Sequence, residues 1–216
     1  TGLGNTLLLT LVALIVGVLI GIVVAAVRST YDKTAETARP SFGRRVFGFF
    51  NGLCKVYLTV VRGTPVVVQV MIFFYVIFAT AKDGTMVAAL AFGINSGAYV
   101  AEIIRGGIMS IDNGQFEAGR SLGFNYLQTM RYIIVPQTIK NVLPSLMNEF
   151  IALLKETSVA GYVAVQDLTK AGDIIRSRTY SAFMPLIAVA LIYLIVVMFF
   201  TWLVGKLERR LRASDH

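Results

Sequence analysis

The chain has 216 residues, 56% of them hydrophobic, with a mean hydropathy of +0.72, 15% charged residues and a net charge of +8. A soluble domain usually carries about a quarter charged residues, and here the apolar residues gather into runs, which excludes a soluble globule. One cysteine (Cys54) and one histidine (His216) exclude an internal disulfide and leave histidine catalysis or a metal cluster without material.

A helix needs roughly 17–25 apolar residues to cross a hydrocarbon core of about 30 Å. Leu7–Val27 is such a run, free of Asp, Glu, Lys and Arg. It is too long, and lacks the preceding basic flank, for a cleaved signal peptide. Gly17 and Gly21 within it form a small-xxx-small pair suited to close helix contact. Val27 to Val61 is amphipathic and basic, with the polar patch "RSTYDKTAETARPSFGRR", and predicts a segment at the membrane surface from which Lys55 and Arg62 snorkel. "RGTP" (Arg62–Pro65) then supplies a hinge glycine, Thr64 as cap and Pro65 at a first-turn position, so a second span over about 53–81 starts or bends there.

"AKDGT" predicts a short turn before a third span over about 85–104, which carries the pair Gly93/Gly97. A fourth span, about 132–154, is interrupted by Lys140 and Glu149 and holds Pro136 and Pro144. Ionisable groups in a spanning helix face protein or water, and neighbouring helices can satisfy carbonyls freed by proline. The connection Lys155–Ser181 predicts a long loop with one short helix, and a fifth span covers about 182–205. The expected fold is all-α: one integral membrane domain, 1–216, of five transmembrane helices. Five spans place the termini on opposite sides. Arg28, Lys33, Arg39, Arg44, Arg45, Arg105, Arg120, Arg131, Lys206, Arg209, Arg210 and Arg212 then fall on one side and outnumber Lys82, Lys155, Lys170, Arg176 and Arg178 on the other. The positive-inside rule puts the N-terminus outside and the C-terminus in the cytosol. The net charge reads as topology and contact with membrane lipid headgroups, not nucleic acid.

Between spans three and four the chain builds a polar unit, about 112–131. Asp112, Asn113 and Gly114 give a turn and cap, and a short helix runs through Leu122. Gly123 suits the left-handed residue that stops it. Asn125 caps a second helix, with Gln128 in the capping-box place. The product is a helix–turn–helix bracket with Phe116, Leu122, Phe124 and Tyr126 available for contact, equipment for transmitting displacement.

"EAG…G" followed by "IIVP" resembles the EAA loop of membrane subunits of bacterial ABC importers, at Glu117, Ala118, Gly123, Ile133 and Pro136. "RGTPVVVQ" and "LLKETSVAG" resemble the polar amino acid permease branch. Gly119 stands where a second alanine is usual, and Val135 where leucine is. The resemblance implies a permease in the bacterial cytoplasmic membrane, with Glu117, Ala118, Gly119, Leu122, Gly123 and Phe124 as the coupling helix docking on a cytosolic ATPase dimer. No G-x-x-x-x-G-K-[ST] occurs in the chain, so ATP and Mg would sit on that partner and no cofactor on this chain. An extracytoplasmic amino-acid-binding protein and a second permease, identical or similar, complete the implied assembly.

Polar groups inside spans are the candidate substrate contacts. Asn95, Tyr99 and Glu102 share one face of span three, with Ser96 beside it. Glu149, Leu153 and Glu156 share a face of span four, with Thr157 next along, and Asn141, Ser145 and Asn148 share another. Glu149, Glu156, Asn95, Tyr99, Ser96, Thr157 and Gln69 are the proposed contacts for a polar amino acid. The carboxylates suit a cationic group, either the α-ammonium that any amino acid carries or a basic side chain, which tilts the choice to arginine or lysine and leaves glutamine, glutamate and histidine open. The plainer alternatives are a Glu149 pair with Lys140 or Lys155, an Asn/Ser interhelical seam, and Glu102 lying beside Arg105. An ion-coupled secondary transporter or a channel subunit is the rival function. An enzyme is disfavoured, since no triad or metal set can be assembled.

Overall fold

The structure, a computed structural model, describes residues 1–34, 41–163 and 165–213, with the side chains of 212 and 213 excepted. Arg39 and the side chain of Arg212, used in the charge reading, and His216 lie outside the described residues. No strand occurs among those described.

Helix α1 (Gly2–Lys33) runs the full height of the bundle; at 1.5 Å per residue its 32 residues span about 48 Å. Its main partner is α4 (Gly84–Met109), started by Asp83, whose carboxylate accepts from the amides of Thr85 and Met86. The two helices interlock through the glycine pairs seen in the sequence. A Cβ on Gly93 would stand 2.7 Å from the side chain of Val16, and one on Gly97 3.0 Å from Ile20, so only glycine permits this approach.

Helix α2 (Phe42–Gly63) is amphipathic, with only Asn51 and Leu58 buried and Phe49, Leu53, Val56 and Val60 exposed. It is tied down by Arg28 donating to Asn51 at 3.1 Å and by Tyr57 donating to the Ile94 carbonyl at 2.6 Å. Beyond it the chain bends by 109° into α3 (Val66–Ile72) and a π turn, Phe73–Ile77. The second span therefore does not run straight over 53–81; it breaks at Gly63–Pro65. Pro65 occupies the cap position expected of Thr64. Gln69 makes good the break: the two hydrogens of its amide nitrogen are shared among the Val61 carbonyl (2.7 Å), the Thr64 hydroxyl (2.7 Å) and the Thr64 carbonyl (3.1 Å), satisfying groups a bent helix leaves open.

Helix α5 (Asn113–Ser121) begins at Asp112, whose side chain accepts from the Gly114 amide, and stops at Gly123 with φ of 78°. Asn125 and Gln128 form the expected capping box at the start of α6 (Tyr126–Thr129). Then the structure departs from expectation. Helix α6 passes through a π turn, Met130–Ile134, directly into α7 (Val135–Glu156), so the bracket's second arm and the fourth span are one rod. The π turn shifts the hydrogen-bond register just before Pro136, which has no amide hydrogen to give. The Gln137 side chain donates to the Ile133 carbonyl at 3.0 Å.

A 3-10 turn, Thr157–Val163, leads to α8 (Leu168–Thr179) and then α9 (Phe183–Ala213). Among the described residues, α1, α4 and α9 are each long and apolar enough to cross a membrane, and the bent α2–α3 pair makes up to four. Helix α7 has the length but, with its polar faces, not the hydropathy.

Candidate functional site

The seven candidate contacts do not all converge. Asn95, buried on α4, donates its amide to the Gln69 carbonyl oxygen on α3 at 3.1 Å. Its neighbour Ser96, fully buried, donates to a carboxylate oxygen of Glu149 on α7 at 2.8 Å. Successive helix residues point about 100° apart, so α4 grips α3 with one residue and α7 with the next. Gly17 of α1 backs this junction, where a Cβ would come within 3.1 Å of Ser96. Gln69, Asn95, Ser96 and Glu149 thus form one polar cluster inside an otherwise apolar bundle.

Glu156, half-buried, lies two turns further along the Glu149 face at the end of α7. Thr157 is buried elsewhere: its hydroxyl donates to the Leu154 carbonyl at 2.9 Å and lies 3.3 Å from that of Thr10 on α1. Tyr99, one turn from Asn95, sits under the Arg62 guanidinium at 5.6 Å. Glu102 takes the plainer reading, paired with Arg105 at 3.3 Å and with Arg62 at 3.8 Å; Arg105 also reaches Asp32 at 3.4 Å. Asn141, Ser145 and Asn148 are exposed, so they glue no helices together within the chain. Chemically, the cluster and the Glu149–Glu156 strip offer carboxylates and carbonyl oxygens to a cation, with hydroxyl and amide groups to orient it. Sequence reading missed Arg62 and Thr10 as contributors, because both meet their partners only across the fold.

The bracket is better resolved by its own chemistry. Gly119 is buried against α6, where a Cβ would lie 2.6 Å from the Thr129 side chain. That contact explains why glycine replaces the alanine usual at this position. Glu117 and Ala118 are exposed, Leu122 is 68% exposed, and Phe124 packs on Tyr132 at 5.9 Å. Phe116, expected at the surface, is instead buried with Ile108, Ile111 and Ile134, beneath the Lys33 ammonium at 4.6 Å from its ring. Lys33 also donates to Asn113 at 2.8 Å, and Tyr126 to Thr30 at 3.4 Å. Between the end of α1 and the bracket lies a cleft of about 720 Å³, lined by Asp32, Lys33, Glu117 and Arg120 among others.

At the other end of α1, Leu168 donates its amide to Thr6 at 3.0 Å and Asn5 donates to the Gln166 carbonyl at 2.9 Å. Asp167 caps α8 through the Thr169 and Lys170 amides; burial pushes its carboxyl up from the ordinary range, opposed by those amides.

Comparison with known proteins follows the same geometry. Residues 17–213 match the family described as binding-protein-dependent transport system inner membrane component. The chain is 37% identical over 184 residues to a putative glutamine transport system permease protein GlnP of Rickettsia bellii, covering 78% of this chain and 84% of that one. It is 37% identical over 174 residues to the glutamine transport system permease protein GlnP of Escherichia coli K12 (78% and 80% covered). To the arginine transport system permease protein ArtQ of Bacillus subtilis 168 it is 35% identical over 185 residues (79% and 84%). Among solved structures, an amino acid ABC transporter with histidines superposes with a TM-score of 0.83 at 40% identity, covering 97% of this chain and 92% of that one. The methionine transporter MetNI, inward facing, superposes at 0.79 with 19% identity (97% and 94%) and speaks to the fold alone.

Proposed function

As a member of the inner membrane component family of binding-protein-dependent transport systems, the chain is a permease subunit of an amino acid ABC importer, and we propose that its cargo is basic. It is a multi-pass inner-membrane protein and not an enzyme. One observation carries the choice of cargo: Glu149, held at 2.8 Å by Ser96, shares a strip of α7 with Glu156 inside the bundle. The amide pair Asn95–Gln69 borders it. Two carboxylates at this depth suit a guanidinium or ammonium better than an uncharged side chain.

In this reading the chain is a single domain with five crossings: α1, the bent α2–α3, α4, α7 and α9. The N-terminus is outside and the C-terminus in the cytosol. The bracket then faces the cytosol and docks by Glu117, Ala118 and Leu122 on an ATPase dimer that carries ATP and Mg. The 3-10 turn and α8 face outward, where a binding protein delivers substrate. A second permease, identical or similar, closes the other wall of the pathway.

The test is uptake of labelled arginine into proteoliposomes holding the permease, its ATPase and its binding protein, with lysine, histidine and glutamine as competitors. Arginine uptake should require ATP and fall about tenfold in Glu149→Gln, one lost ion pair of roughly 1.4 kcal/mol, with ATPase activity retained. ATP-dependent glutamine uptake without arginine uptake overturns the basic cargo. Uptake that ignores ATP and follows a proton or sodium gradient overturns the ATP-driven reading.

A further inference from the structure

Helix α9 differs from α1 and α4 in that no residue of its most apolar stretch is fully buried by the rest of the chain. Towards its C-terminal end the exposed surface is graded. Val197 and Met198 are followed by Trp202, then by Lys206, Arg209 and Arg210, all lining one groove. Met198, Trp202 and Lys206 recur every four residues, so they stack on one face. The rise from Met198 to Lys206 is about 12 Å, the step from acyl chains to headgroups. Gly205 leaves a notch in that face: a Cβ there would meet nothing within 4 Å.

We propose that this groove binds an anionic glycerophospholipid, its phosphate held by Lys206, Arg209 and Arg210 and its acyl chains laid along Trp202, Met198 and Val197. Two observations converge on it. The Lys206 ammonium stands 5.3 Å over the Trp202 ring, which fixes a cation at indole depth. Among the described residues no carboxylate forms an ion pair with Lys206, Arg209 or Arg210. Glu208 lies two residues from Lys206, about 200° round the helix. Three cations in one groove, with no counterion among the described residues, suit an anionic ligand. A helix C-terminus favours cations by its dipole alone, but that requires neither an apolar approach nor an exposed indole. A phosphate with two acyl chains matches the whole gradient; free phosphate matches only its last turn.

Trp202 is the sole tryptophan of the chain and 61% exposed, so it reports on its own neighbours. The full chain is reconstituted in phosphatidylcholine vesicles containing phosphatidylglycerol, and bromine is placed on the acyl chains of one lipid or the other. Brominated phosphatidylglycerol should quench Trp202 with an association about fivefold stronger than the phosphatidylcholine analogue, the preference expected for a bound headgroup. The variant Lys206→Gln/Arg209→Gln/Arg210→Gln should bring the ratio near one, while Arg209→Lys/Arg210→Lys keeps it. Millimolar inorganic phosphate should leave the ratio unchanged. Equal quenching by the two lipids in the wild type overturns the proposal, even where the triple variant does not insert. So does a preference that survives the triple variant, or one erased by inorganic phosphate, which assigns a free-anion site. Protection of Trp202 from both lipids also overturns it, since a second copy then covers this face.

Discussion

The two ends of α1 are held by different chemistry. At the N-terminal end the contacts are neutral and buried: Thr6 takes the Leu168 amide, Thr10 lies against Thr157, and Gly2 sits beneath α8. At the C-terminal end they are half-exposed and mostly charged, with Asp32 on Arg105 and Lys33 on Asn113, beside a neutral bond from Tyr126 to Thr30. Buried hydrogen bonds cost the full desolvation of a group when broken. Exposed ion pairs contribute about 0–1 kcal/mol and can exchange with water. If the bracket docks on the ATPase as proposed, the first end would serve as a fixed joint and the second as a moving one.

Three variants bear on that contrast, from the largest effect to the smallest. Gly119→Leu forces a side chain into Thr129 and pushes α5 off α6. ATP-dependent uptake should fall more than tenfold, about 1.4 kcal/mol or more, while the thermal midpoint moves little; a large loss of stability with normal coupling would make the bracket a structural part. Thr6→Val leaves the Leu168 amide buried without an acceptor. Chemical or thermal unfolding should show a loss of about 1–3 kcal/mol, and an unchanged midpoint would mean the N-terminal joint is as loose as the other. Asp32→Asn removes one partner of Arg105 at the moving end. Its stability should change by less than about 1 kcal/mol, and the change should shrink further in high salt; a salt-independent loss of several kcal/mol would make that end rigid too.

The bracket was legible in the sequence almost residue by residue, because caps and stops are local. Asp112, Asn125 and Gln128 act on amides two or three positions away, Gly123 takes the left-handed φ that stops α5, and each does what its spacing predicts. The break at Gly63–Pro65 was legible as a break, but its 109° angle was not, since Gln69 and the packing of α3 set it. Phe116 reads as a surface aromatic until the ends of α1 and α4 close over it. Within the candidate site, helical periodicity placed Asn95, Tyr99 and Glu102 on one face correctly. It could not say that Ser96 would find Glu149 or that Arg62 would stand over Tyr99. Those meetings depend on which helices are neighbours, here α7 and α2 against α4.

The unbroken rod from Tyr126 to Glu156 has a further consequence. Were it to turn as a whole, across its π turn and past Pro144, a twist imposed at one end would arrive at every side chain along it. With side chains carried at a radius of about 5–6 Å, a rotation of some 20° displaces each by roughly 2 Å. A hydrogen bond of 2.8 Å such as Ser96–Glu149 does not survive that. Twisting the shaft would therefore unlatch Glu149 without bending any helix, and the grip on a bound cation and the stroke of the motor would be two readings of one angle.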